Sequence, residues 1–81
     1  MKPAECRRLA TEKTAAELGR AAELLSEEQA PPFDVLGDGP GDQLTHVLLA
    51  QRIQERVQRG EDPKDAFRAV MAEVRAVVSN D

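Results

Sequence analysis

The large apolar residues of this chain are concentrated in its second half. Leu44, Val47, Leu48, Leu49, Ile53 and Val57 occupy one stretch, and Phe67, Val70, Met71, Val74, Val77 and Val78 the next. The first thirty residues offer only Met1 and the leucines Leu9, Leu18, Leu24 and Leu25, set among Ala and charge. In the final stretch the apolar residues recur at helical spacing as one stripe, with Arg68, Ala72 and Arg75 opposite. That helix has a clear start: Asp62 as cap, Pro63 in the first helical position and Asp65 where a capping-box acid belongs.

The stretch before it predicts a helix from Asp42, a good N-cap, to Arg59, with Gly60 as its stop. Its apolar residues fall on two faces, Leu44, Val47 and Leu48 on one and Leu49, Ala50, Ile53 and Val57 on the other. Such a helix needs neighbours on two sides. The short Arg59–Asp62 connection makes these two helices antiparallel neighbours.

Residues 3 to about 26 are rich in Ala, Glu, Arg and Leu, all strong helix formers. Only the C-terminal part of this segment is amphipathic, with Leu18, Ala21, Ala22 and Leu25 on one face. Its first turns are therefore expected to fray. Between the helical stretches, residues 27–41 hold three of the five prolines and three of the five glycines. Phe33, Val35 and Leu36 are expected to pin this connection to the helices, leaving Gly37 to Gly41 as a mobile tip. The expected architecture is all-α: a small three-helix domain spanning residues 1–81. It comprises a helix over about 3–26, a Pro/Gly-rich connection over 27–41 and a C-terminal antiparallel helical hairpin over 42–78.

Composition narrows the chemistry. One cysteine, Cys6, allows no intrachain disulfide and fits a reducing compartment. One histidine, His46, leaves too few Cys and His ligands for the usual zinc site. The net charge is −4, from 11 basic and 15 acidic side chains, which disfavours a phosphate backbone unless the cations segregate onto one face. No run approaches the ~18 apolar residues of a membrane span, and the MKPAEC start lacks a signal-peptide core. The expectation is a cytoplasmic protein with no membrane association.

Motifs with chemical content are sparse. Asp34, Asp38 and Asp42 surround Gly39, but aligning that glycine with an EF-hand loop puts Leu36 and Thr45 where carboxylates are required. Cys6 and His46 could form a nucleophilic pair only if the fold joined them, and no orienting acid is evident. Ser26 and Ser79 sit at helix ends. The stretch Leu36 to Ile53 resembles the attachment region of acyl carrier proteins, where a helix opens with Asp-Ser-Leu after a Leu-Gly turn. Here Leu36 and Gly37 precede an inserted DGPG, followed by Asp42, Gln43 and Leu44. The resemblance covers about a dozen residues and implies no carrier activity. Gln43 stands where the phosphopantetheine-bearing serine would be, and an amide cannot form that phosphoester.

Arg52, Arg56 and Arg59 make the best basic cluster and invite a helix-turn-helix-like DNA-binding reading. Residues 42–81, however, carry six cations against seven anions, with Glu55, Glu61, Asp62 and Asp65 interleaved. A salt-bridged solvent face explains them. The sequence therefore predicts a non-catalytic protein–protein interaction module, a small subunit, adaptor or regulator, that uses no cofactor or metal. It is expected to self-associate as a homodimer by helix-on-helix packing, with Leu49, Ile53, Val57, Arg52 and Arg56 as the partner-binding residues. DNA binding by the arginine face is the alternative.

Overall fold

A computed structural model describes residues 1–79 of the chain, with Val78 and Ser79 outside the described side chains. Among the described residues there are four helices and no strand: α1 Pro3–Glu12, α2 Ala15–Ser26, α3 Pro40–Gln58 and α4 Pro63–Ser79. The first predicted helix is thus two, and the three-helix expectation is corrected to four. The break lies at Lys13 and Thr14, both in extended backbone conformation. Thr14 and Glu17 close a capping box across it. The Thr14 hydroxyl accepts from the Glu17 N–H at 3.1 Å, and the Glu17 carboxylate accepts from the Thr14 N–H at 2.8 Å. Two orphan donors of the new helix start are satisfied together, which offsets the hydrogen bonds lost by interrupting a continuous helix. On the other side of the break, Gln54 Nε2 donates to the carbonyls of Ala10 and Lys13, leaving Gln54 Oε1 without a partner.

The helix ends show how local chemistry stops each segment. α3 closes with the Gly60 N–H on the Val57 carbonyl and the Glu61 N–H on the Arg56 carbonyl, a Schellman arrangement with Gly60 at φ 104°. α2 closes in the same way on Leu25 and Leu24, but its left-handed residue is Glu28, at φ 59°. α3 begins at Pro40 with Gly39 as its N-cap, three residues before the predicted Asp42 cap. Proline fits the first helical position, and Asp42 instead lies in the first turn, its Oδ2 accepting from the Asp38 N–H at 3.1 Å. α4 opens as its sequence predicts, with Asp62 Oδ1 accepting from the Lys64 N–H at 2.9 Å.

α3 is the central element, and α1, α2 and α4 each pack against it. One core joins Leu9 of α1, Leu18, Ala21 and Leu25 of α2, Val35 of the connection, and Val47 and Ala50 of α3. A second joins Cys6 of α1, Leu49 and Ile53 of α3, and Ala66, Val70 and Met71 of α4. Ala10 packs against both. The two-faced pattern of α3 is thus used within one chain. The start of α1 departs from the fraying expectation, because Cys6 and Leu9 are wholly buried. Its sparse apolar residues suffice since each lands in a different core.

The connection 27–39 is held by polar groups as well as apolar ones. Val35 is buried and Phe33 packs on the first core, with Lys13 Nζ 4.6 Å from its ring centroid. The Leu36 side chain, expected to pin the loop, is exposed; its backbone does the pinning. The Leu36 N–H donates to Glu5 Oε2 at 2.8 Å, and its carbonyl lies 2.7 Å from His46 Nδ1. Glu5 and His46 are both buried. Since His46 Nε2 accepts from the Lys2 N–H at 2.8 Å, Nδ1 carries the proton and donates to Leu36. Arg8 forms a bidentate pair with Glu5 at 2.7 and 2.8 Å and extends to the Asp34 carbonyl at 2.9 Å. Gln43 Nε2 donates to the Val35 carbonyl, and its backbone lies so close to Gly37 that a Cβ there would come within 2.9 Å of the Gln43 nitrogen.

The hydrogen bond from Arg8, aided by the Leu36 N–H, holds the Glu5 carboxyl below its ordinary value of 4.5, against the opposing effect of burial. A depressed folded-state value means that this stabilisation is complete above the ordinary value and is lost as pH falls through the lower one. In urea unfolding followed from neutral to acid pH, the wild type should lose stability in that acid range. Glu5→Gln should flatten that loss, leaving the part due to Glu17, Asp42 and Glu73, whose carboxyls are also held low. Leu9→Ala should cost ~2–5 kcal/mol, comparable to Leu18→Ala, as expected for a fully buried leucine. Glu28→Gly should stabilise the protein by about 0.5–1 kcal/mol, relief of the left-handed strain outweighing the added chain entropy.

Candidate interaction surface

The predicted partner residues fall into two groups. Leu49 and Ile53 are buried beneath Cys6 and the α4 residues Ala66, Val70 and Met71, so they are core residues of the monomer. This corrects the expectation that they face a partner. The surface the sequence left uncovered is covered by α1 and α4 of the same chain. Val57 is half-buried at the edge of that core.

Arg52 and Arg56 lie along the seam between α3 and α4. Arg56 Nη2 donates to Glu73 Oε1 at 2.7 Å, and its Nη1 reaches both Glu61 oxygens at 2.9 and 3.1 Å. Arg52 Nη2 stands 3.4 Å from the other Glu73 oxygen. The Arg56 hydrogen bond keeps the Glu73 carboxyl below the usual range, and Glu73 and Glu61 push the Arg56 guanidinium up in turn. Both arginines are therefore engaged with carboxylates of their own chain.

Beside this seam, apolar side chains of α3 and α4 are left exposed. Val77 is 71% exposed and Leu48 45% exposed. Val77 lines a shallow depression with Arg52, Glu73, Val74 and Ala76. Leu48 lies one turn before Arg52 on the same face of α3. The α4 stripe is thus half-buried at Phe67, buried at Val70 and Met71, half-covered at Val74 and open at Val77; Val78, the last residue named in it, lies outside the described side chains. Sequence reasoning missed Glu73, Leu48 and Val77 as surface features. The usable signal was length: α4 runs on for two turns past its last fully buried residue.

The residues singled out for chemistry have structural partners. Cys6 is buried, its Sγ 3.7 Å from the Lys2 carbonyl and 3.8 Å from Met1 Sδ. Burial pushes its thiol up to about 11. Both His46 ring nitrogens are occupied by backbone groups, so the two residues do not form a nucleophilic pair. The Asp42 carboxylate lies 3.8 Å from His46 Nε2 and 3.4 Å from the Met1 amino group. Among the described residues, no group of three or more His, Cys, Asp and Glu side chains is placed to hold a metal ion. No described helix is long and apolar enough to cross a membrane. Gln43, where the carrier-protein resemblance would place the phosphopantetheine-bearing serine, braces the connection through Val35.

Residues 1–79 match the model of a family of unknown function (DUF6952), and the chain belongs to that family. No curated protein and no solved structure matches it.

Because the thiolate is the reactive form, native Cys6 should resist iodoacetamide at neutral pH. Labelling should become rapid only in denaturant, with a midpoint that tracks loss of helical circular dichroism.

Proposed function

We propose that this DUF6952 protein is a non-catalytic protein–protein interaction module that pairs with a second copy of itself. The pairing surface is the exposed edge of the antiparallel α3–α4 hairpin, with Leu48, Val74 and Val77 at its centre and Arg52 and Glu73 at its rim. One observation carries this reading: Leu48 and Val77 leave large apolar side chains in water beside a solvated ion pair. An apolar centre with a charged rim is the usual composition of a helix-packing interface. Arg52 and Glu73 suit a two-fold arrangement, since the arginine of one copy can meet the carboxylate of the other in both directions. The non-enzymatic reading is supported by the structural engagement of Cys6, His46 and Glu5, and the unpaired cysteine fits a reducing cytoplasmic setting. The DNA-binding alternative loses support because Arg52 and Arg56 share Glu73.

Sedimentation equilibrium tests the proposal. The wild type should fit a dimer, and Leu48→Asp and Val77→Asp should each give a folded monomer, since both residues are exposed within the chain. Leu49→Asp or Ile53→Asp should instead unfold the protein by placing a charge in the core. A wild type that remains monomeric, or a dimer that survives both surface substitutions, would overturn the proposal.

A further inference from the structure

A second opening lies on the other side of α3, away from the α3–α4 edge. It is a cleft of about 660 Å³ where the end of α1, the start of α2, the C-terminal half of α3 and the first residue of α4 meet. That volume is within the range of small-ligand sites, roughly 300–1,000 Å³. Ala10, Ile53, Val57 and Pro63 supply apolar walls. Gln54 fixes the geometry by tying α3 to the Ala10 carbonyl of α1 and to the Lys13 carbonyl at the break. The cleft therefore depends on the break at Lys13 and Thr14. A continuous first helix would carry residues 14 and 15 onward along α1, whereas the break brings Thr14 and Ala15 to its lining.

The lining contains a single charged residue, Arg7, and no carboxylate. Arg7 differs from its neighbour Arg8, which is paired with Glu5 and Glu12. Among the described residues Arg7 has no carboxylate partner; its guanidinium lies over the Phe67 ring, 5.5 Å from the centroid. A ring face orients the guanidinium without neutralising it, so its donors remain available for an anion. An apolar cleft with one oriented, unneutralised guanidinium selects a particular class of molecule. We infer that this cleft binds a small aliphatic carboxylate, the hydrocarbon lying against Ala10, Ile53 and Val57 and the carboxylate pairing with Arg7. Guanidinium and carboxylate match in planar two-pronged geometry, which favours this head group over a neutral one. The inference is independent of the pairing proposed for the α3–α4 edge, because the two surfaces share no residue.

The test uses the full chain, with sodium octanoate as probe and 1-octanol as its neutral counterpart. Amide chemical shifts are followed by NMR during titration. Octanoate should produce saturable shifts at Ala10, Ile53 and Val57 and leave Val74 and Val77 unmoved. Octanol should bind more weakly. Arg7→Gln should weaken octanoate binding about tenfold, the loss expected for a charge-assisted hydrogen bond, without affecting octanol. Ala15→Trp, at an exposed lining position, should fill the cleft and abolish the shifts while the remaining spectrum stays native. The inference is overturned if the lining amides show no saturable shift. It is overturned equally if octanol matches octanoate, or if Arg7→Gln binds octanoate as tightly as the wild type.

Discussion

Both backbone polar groups of Leu36 are gripped by buried side chains from two different helices. Glu5 of α1 accepts from its N–H, and His46 of α3 donates to its carbonyl. A thirteen-residue connection (27–39) that carries prolines and glycines has little regular hydrogen bonding of its own, so its path must be set from outside. Glu5 and His46 set it, and in doing so they are themselves satisfied. The buried carboxylate has Arg8 and the Leu36 amide; the buried imidazole has the Lys2 amide and the Leu36 carbonyl. Removing either side chain would strand the others, and a stranded buried polar group costs roughly 1–3 kcal/mol.

The packing follows from that constraint. With the connection pinned at Leu36, Val35 drops into the first core beside Leu9, Leu25 and Val47. The start of α1 is held by Glu5 and by the Lys2–His46 contact, which brings Cys6 into the second core. A helix with few large apolar residues is thereby docked along its length. This is also why α3 can be apolar on two faces in a chain of this size: one face meets α1 and α2, the other α1 and α4. Helix-on-helix burial supplies the bulk of the stabilisation, and the polar clamp decides which helices meet.

Helical content and most helix ends were legible in the sequence because they depend on local chemistry. Pro63 after Asp62, the stop at Gly60, and the α4 stripe from Phe67 to Val74 are all decided within a few residues. The interruption at Thr14 was also written locally, as Thr14-Ala-Ala-Glu17, but strong helix propensity on both sides hid it. The Schellman end at Glu28 had no glycine to announce it. Long-range pairings were beyond reach. Nothing near Glu5 in sequence distinguishes a first-turn acid serving the helix dipole from one buried against a loop thirty residues away. Likewise, the second face of α3 correctly demanded a neighbour, while the identity of that neighbour depended on how α1 and α4 folded back. The candidate surface consequently moved from Leu49 and Ile53 to Leu48 and Val77, with Arg52 common to both.

Native-state hydrogen exchange at the Leu36 amide tests the central role of the clamp most directly. This amide lies outside every helix and its side chain is exposed, so ordinary loop behaviour would make it exchange quickly. If the Glu5–Leu36–His46 clamp organises the fold, the Leu36 amide will be protected to the same degree as the core amides of α3, opening only with global unfolding. Exchange at a rate typical of the neighbouring loop amides would contradict the account.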